Sequence, residues 1–342
     1  MAEPLAVGET GNIEAREESS SLSDNDSAYY DDDTEASTRS VTSSIYDYET
    51  SHGRTYHAYH AGKYILPNDE DEQERCDIMY HAVRLSVGNK LFFAPLVTEP
   101  TCVLDIGTGT GLWAIELADA YPGAQVIGTD LSPIQPSYVP PNLQFEIADA
   151  DEEWTFRQRF DLVHSRVMND TSLKDWPHFY REAYKVLQPG GWVESQEFSY
   201  KRYSDDGSLP ADSRLTYWED LWTEGINKMG HTGHCDPELV MQQMRDAGFV
   251  NVTRLNFKMP IGPWPKDKRL REAGLFGYAN LMNGLFGLSI KVFSQLLGWQ
   301  VEELEVLLAE CRQELRRRDI HGYWPIYIMF GQKPPDPGGP GD

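Results

Sequence analysis

The chain has 342 residues, 40% of them hydrophobic and 25% charged, which suits a globular protein with a sizeable core. Its formal net charge of -24 repels phosphate backbones and argues against sequence-general binding of DNA or RNA. Four cysteines, Cys76, Cys102, Cys235 and Cys311, follow no disulfide or metal spacing, so a reducing compartment is expected.

Residues 1–51 hold thirteen acidic side chains against two basic ones, Arg16 and Arg39. Such a stretch cannot bury enough apolar surface to offset the entropy of ordering, which predicts a disordered acidic tail. Its tyrosines, Tyr29, Tyr30, Tyr46 and Tyr48, are candidate docking points for protein partners. No apolar run opens the chain, so no signal peptide is expected.

From residue 52 to 333 strands alternate with helices. A polar helix is expected over 70–87, after the turn Leu66-Pro67-Asn68-Asp69. Strands follow at 101–106, 124–129, 143–147, 160–164 and 192–196. Helices are expected at 112–120 and 176–186, the second ended by Gln188-Pro189-Gly190-Gly191. Beyond them come helices at 212–229 and 237–247, a strand at 250–259, helices at 269–297 and 301–318, and a strand at 323–330. Residues 266–318 therefore read as a helical insertion or lid, and 334–342 as a flexible tail. The most apolar long stretch, 273–299, is broken by Asn280, Asn283, Lys291 and Gln295, which argues against a transmembrane helix. Arg316-Arg317-Arg318 is the charged last turn of a helix. The alternation predicts a Rossmann-like α/β fold, a mostly parallel sheet with helices on both faces.

The strand Val103-Leu104-Asp105-Ile106 runs directly into Gly107-Thr108-Gly109-Thr110-Gly111 and then a helix. Glycines belong there because side chains would collide with a ligand lying across the strand's carboxyl end, next to helix amides. The Gly-x-Gly-x-Gly spacing differs from the Gly-x-Gly-x-x-Gly of most nicotinamide folds. Asp105, just before the loop, suits a cofactor with a positively charged amino group. Asp130 ends the second strand, where its two oxygens suit two ribose hydroxyls. Asp149, in Ala148-Asp149-Ala150-Asp151 after the third strand, suits an adenine amino group.

In the order of these motifs, together with Phe160-Asp161-Leu162-Val163-His164 and Leu187-Gln188-Pro189-Gly190-Gly191-Trp192, the chain resembles a class I S-adenosylmethionine (SAM)-dependent methyltransferase. More narrowly it is similar to the fungal LaeA-like methyltransferases. That likeness rests on the lead-in Arg54-Thr55-Tyr56-His57 and Gly62-Lys63-Tyr64-Ile65-Leu66-Pro67-Asn68-Asp69-Glu70, and on Phe160 through Arg166. It spans about residues 54–200 and weakens beyond them. The resemblance implies a seven-stranded sheet with an antiparallel last strand, SAM as cofactor, and Tyr64 closing over it. The implied cofactor set is Tyr64, Asp105, Gly107, Thr108, Gly109, Gly111, Asp130, Leu131, Asp149 and Ala150.

Methyl transfer is an in-line displacement, so holding the nucleophile against the methyl in a water-poor cleft is most of the task. A base helps where the acceptor is a poorly ionised hydroxyl or a protonated amine. His164, at the end of the fourth strand, and Glu197, just past the fifth, are the catalytic candidates; Arg166, Asn169 and Asp170 lie at the same edge. His231, His234 and Cys235 lack the partners of a four-ligand metal site, and no metal is expected. Aromatic residues of the second half, Trp218, Trp222, Trp264, Phe276, Tyr278 and Phe286, are core or the lining of an apolar acceptor pocket. The expected activity is methylation of a small molecule of fungal secondary metabolism, in the cytoplasm. The alternative is a regulator of secondary-metabolism genes, working with partners in the nucleus.

Overall fold

A computed structural model describes residues 8–9, 11–15 and 43–336. In chain order its elements are β1 (Gly8–Glu9), β2 (Glu49–Ser51), β3 (Arg54–Tyr56), α1 (Glu70–Ser86), β4 (Cys102–Ile106), α2 (Leu112–Ala120), β5 (Gln125–Asp130) and β6 (Leu143–Ile147). They continue with β7 (Phe160–Arg166), α3 (Trp176–Val186), β8 (Leu187–Phe198), α4 (Arg214–Lys228), α5 (Pro237–Asp246), β9 (Val250–Pro260), α6 (Lys268–Lys291), α7 (Val301–Leu315) and β10 (Tyr323–Gln332). The main sheet has the order β1-β9-β10-β8-β7-β4-β5-β6. β10 runs antiparallel to both β8 and β9, and the other pairs are parallel. The expected seven strands with one antiparallel member are therefore present, from β9 to β6, and the two-residue β1 adds an eighth at the edge.

Most of the expected disordered tail, with Tyr29 and Tyr30, lies outside the described residues. Of the rest, Gly8–Glu9 extends the sheet beside Leu255 and Asn256, and the hairpin β2–β3 already begins at Glu49. The end of the chain beyond Asp336 also lies outside the described residues.

Near-continuous apolar strands bury both faces of the sheet. One core joins Val83 of α1, Trp113 of α2, Trp218 of α4, Leu285 of α6 and Leu308 of α7. The other joins Phe179 of α3 and Met244 of α5 on the opposite face. Two strands run further than their sequences suggest, β7 to Arg166 and β8 to Phe198. The expected turn at Gln188–Gly191 falls inside the span of β8, which follows α3 without a break; the β7–β8 register shifts there, between Phe160 and Leu162.

Two of the polar residues of the apolar stretch 273–299, Asn280 and Lys291, turn inward, while Asn283 and Gln295 are exposed. Asn280 of α6 is buried and accepts from Arg75 Nη1 of α1 at 2.9 Å, while the Lys291 ammonium lies over the Tyr56 ring, 3.3 Å from its centroid. Gly277 lets α6 press onto the end of β9, since a Cβ there would stand 2.5 Å from the Pro260 carbonyl oxygen. The helix thus seals α1 against the sheet, and no described helix is long and apolar enough to cross a membrane.

The lead-in is tied down by one carboxylate. Asp69 caps α1, its Oδ1 accepting from the Glu72 amide at 3.2 Å. The same carboxylate takes the Arg54 guanidinium in two bonds, at 2.7 and 2.5 Å, and the Thr55 amide at 3.1 Å. Residues 57–68 are thereby folded across the carboxyl edge of the sheet.

Candidate active site

A cavity of about 210 Å³ opens where β4, β5 and β7 end, roofed by the lead-in and α1. Of the residues expected to hold the cofactor, Tyr64, Asp105, Gly107, Thr108, Gly109, Asp130, Leu131, Asp149 and Ala150 all line it. Gly111 does not; it starts α2 with φ 87°, beneath the ring of Phe145. Gly107, at φ 69°, faces the thioether of Met168, so any side chain there would fill the floor of the cavity.

Three carboxylates stand around this loop in three different states. Asp130 Oδ2 accepts from the Gly109 amide at 2.8 Å, and Oδ1 from the Ser132 amide at 3.0 Å. Among the described residues no cation is among its partners, and burial pushes its carboxyl up to about 6 although those amides and that of Leu131 pull it down. The residue itself lines the cavity.

Asp105 is engaged on both oxygens: Oδ2 accepts from Thr108 Oγ1 at 2.7 Å, and Oδ1 lies 2.7 Å from His164 Nδ1. Asp149 is used most heavily. Lys63 and His60 Nδ1 reach it from the lead-in, the latter at 2.8 Å, and the Asp151 amide donates to it at 2.9 Å. Burial alone raises this carboxyl, but the Lys63 ammonium and the other donors outweigh that and hold it below its usual range. One of its four lone-pair sites is left for a ligand. Asp149 therefore latches the lead-in to the strand end, a task that the sequence reading did not foresee.

The two catalytic candidates separate. His164 lines the cavity, fully buried, its ring stacked on Trp113 at 3.7 Å and 2°. Burial drives its pKa down although Asp105 pulls it up, which leaves a neutral imidazole donating Nδ1–H to Asp105.

Glu197 is not past the strand but inside it, on the opposite face from His164, and it does not line the cavity. There it accepts the backbone amides of Met168 at 3.2 Å and Asn169 at 3.1 Å, fixing the loop after β7. Its carboxylate is thus engaged by the loop after β7 and stands away from the cavity that His164 lines. Burial pushes this carboxyl up to about 8 against the pull of those amides, and burial likewise pushes Glu219 up to about 7.

A carboxyl raised above its unfolded value holds a proton in the folded state that the unfolded chain has released. Its stabilising contribution is full below the unfolded pKa of about 4.3 and declines as pH rises toward the folded value. Unfolding free energy is therefore expected to fall between about pH 6 and pH 8 in urea titrations, less steeply in Glu197→Gln. A variant slope equal to that of the wild type would mean that Glu197 is already ionised in the folded protein.

Arg166 lays its guanidinium over the Tyr80 ring, 5.1 Å from the centroid, and Nε donates to Gln196 Oε1 at 3.1 Å. Asp170 lines the cavity, and Asn169 beside it donates Nδ2 to the Thr232 carbonyl at 2.8 Å. His231 is buried with both ring nitrogens unpartnered among the described residues, and burial lowers it to about 4. His234 Nδ1 lies 3.2 Å from Ser199 Oγ, and Cys235 is buried. Among the described residues the trio whose ligand atoms gather is a different one, His60, Asp149 and Glu152, and there the Lys63 ammonium already occupies Asp149.

Residues 78–254 match the family described as "Methyltransferase domain". Methyltransferase pytC of Aspergillus terreus is 42% identical over 304 residues, covering 88% of this chain and 93% of that protein. The probable methyltransferase tdiE of Emericella nidulans is 34% identical, over 78% of this chain and 83% of its own. The secondary metabolism regulator laeA of Aspergillus fumigatus is 33% identical, over 87% and 80%.

Proposed function

The chain belongs to the methyltransferase domain family, whose methyl donor is S-adenosylmethionine, and from that membership we propose that it methylates a small molecule of fungal secondary metabolism in the cytoplasm. The observation that carries the reading is the cavity itself, which joins the glycine loop to an apolar chamber walled by Tyr64, Phe198, Tyr200 and Trp222.

The donor fits the residues present. Asp130, which lines the cavity with no cation among its described partners, suits the two ribose hydroxyls. Gly107 and Gly109, both at positive φ, bring bare backbone to the cavity beside Thr108. Leu131 and Ala150 suit the faces of the adenine, and Asp149 has one acceptor site left for its amino group. Asp105, oriented by Thr108 and His164, suits the ammonium of the amino-acid tail, and Tyr64 closes the roof. Bound there, the donor supplies an already electrophilic methyl group. The chain's part is to align the acceptor and keep water out, an effect worth ~7–11 kcal/mol for well-oriented reactants. Because His164 is wholly buried between Trp113 and Asp105, we assign it to holding the loop rather than to proton transfer.

Incubation of the purified protein with methyl-labelled SAM and extracts of the producing fungus is expected to label a small product. Absence of label in any small molecule would count against the reading. The likeness to a secondary metabolism regulator supports a second one, a nuclear role through protein partners of the acidic tail. Deleting the gene separates the two. A single product lost, with its unmethylated precursor accumulating, favours the enzyme; altered transcription of many gene clusters favours the regulator.

A further inference from the structure

The acceptor end of the cavity is walled by rings: Tyr64 from the lead-in, Phe198 and Tyr200 at the end of β8, and Trp222 from α4. Most charge on this wall is paired or suppressed. Glu72 and Arg75 pair at 2.7 Å, and burial pushes the Cys76 thiol up to about 12. Arg166 lies over the Tyr80 ring, its terminal nitrogens buried and, among the described residues, without a hydrogen-bond partner.

One acid on this wall has no charged partner among the described residues. Asp170 is 3% exposed and lines the cavity. Its Oδ1 accepts from Asn169 Nδ2 at 3.1 Å, and among the described residues no side chain or amide donates to Oδ2. The loop that carries it is held from both sides. Glu197 takes the amides of Met168 and Asn169, while Asn169 exchanges hydrogen bonds with Thr232 at 2.8 and 3.2 Å. The ionisable groups facing Asp170 are Glu197, Tyr200 and Cys235, none of them a cation.

Resting on the methyltransferase reading above, we propose that this end of the cavity takes a neutral aromatic hydroxyl compound, a phenol or an enol, with its O–H directed at the free oxygen of Asp170. The acceptor oxygen forms its bond to the methyl carbon as the carbon–sulfur bond breaks. The proton of the hydroxyl passes to the Asp170 carboxylate and leaves to solvent when the products do. Planar rings match the aromatic walls. A carboxylate or phosphate directed at Asp170 would lose its water against a group that is itself an acid. Burial holds the Asp170 carboxyl well above its usual range, which favours the proton-bearing form before the donor binds. The positive sulfonium of SAM favours its ionised form, and S-adenosylhomocysteine, which carries no such charge, does not.

The test begins with calorimetry of SAM and S-adenosylhomocysteine on the full chain. If neither binds, the methyltransferase reading fails and this inference is not what failed. At pH 7, in two buffers of different ionisation enthalpy, SAM is expected to release more protons than S-adenosylhomocysteine does. Asp170→Asn should abolish that difference; an equal difference in variant and wild type would remove Asp170 from the proton's path.

2-Naphthol is then titrated into protein saturated with S-adenosylhomocysteine. It should bind the wild type, and about tenfold or more weakly Asp170→Ala, the equivalent of one lost hydrogen bond to a buried group. Unchanged S-adenosylhomocysteine affinity certifies that the variant has folded. 2-Naphthoate should bind the wild type at least about tenfold more weakly than 2-naphthol. No naphthol binding to the loaded wild type, equal affinity in Asp170→Ala, or a preference for naphthoate would each overturn the proposal.

Discussion

Asp130→Ala is expected to weaken SAM and S-adenosylhomocysteine alike by about a hundredfold to ten-thousandfold, measured by calorimetry at pH 7.5. Two hydrogen bonds to an ionised carboxylate, at ~1.5–3 kcal/mol each, set that range. The lower end is favoured, because the wild type must keep a buried carboxyl charged, a cost visible in its rise to about 6. Asp130→Asn keeps one oxygen acceptor and should lose roughly tenfold. The product analogue lacks only the transferable methyl, so a ribose contact predicts equal losses for both ligands.

The same residue sets a pH dependence. Ribose hydroxyls donate to the ionised form, so binding lowers the carboxyl's pKa. Affinity is then full above the free value of about 6 and declines as pH falls through it, by up to tenfold per unit. Asp130→Ala should remove this decline. Unchanged affinity in the variant would mean that β5 does not deliver its carboxylate to the ribose.

How much of the site could be read from the sequence depends on distance along the chain. Asp105, the glycine loop and the start of α2 form one continuous segment, and Asp130 follows at the next strand end, so strand–turn–helix logic placed them correctly. What escaped lay across long separations. The Asp105–His164 pair spans 59 residues, and the latch of Lys63 onto Asp149 spans 86. No local propensity encodes either.

Glu197 escaped for another reason. β7 and β8 are apolar enough to be buried on both faces, so their ends carry no polar boundary, and each continues two residues beyond the expected stop. Extending β8 through Phe198 makes the alternation informative. Trp192 and Phe198 belong to the core beneath α1, whereas Val193 belongs to the opposite one. Glu197 shares the face of Val193, and that parity alone removes it from the cavity. The same extension of β7 puts His164 and Arg166 on one face, where both line it.

The largest loss of stability from a single loop substitution is expected at Gly111, and its physical basis is local. Gly111 begins α2 with φ 87°, a conformation that a β-branched residue hardly enters. A Cβ built there would overlap the ring of Phe145, which also presses against Gly128 on the neighbouring strand, where a Cβ would come within 2.7 Å. The partly buried ring packs against both glycines, so making room at one presses it on the other. Strain at positive φ costs ~1–3 kcal/mol and overpacking ~1–3 kcal/mol, so Gly111→Val should lower the unfolding free energy by about 2–6 kcal/mol in urea titration. Gly123→Val is the control: nothing lies within 4 Å of its Cβ position, its φ is not positive, and it stands in the turn before β5. Its effect should stay within about 0.5 kcal/mol. Equal stabilities of the two variants would show that the loop relaxes around Gly111. In that case the αL start of α2 would not be what holds the glycine turn in shape for a ligand.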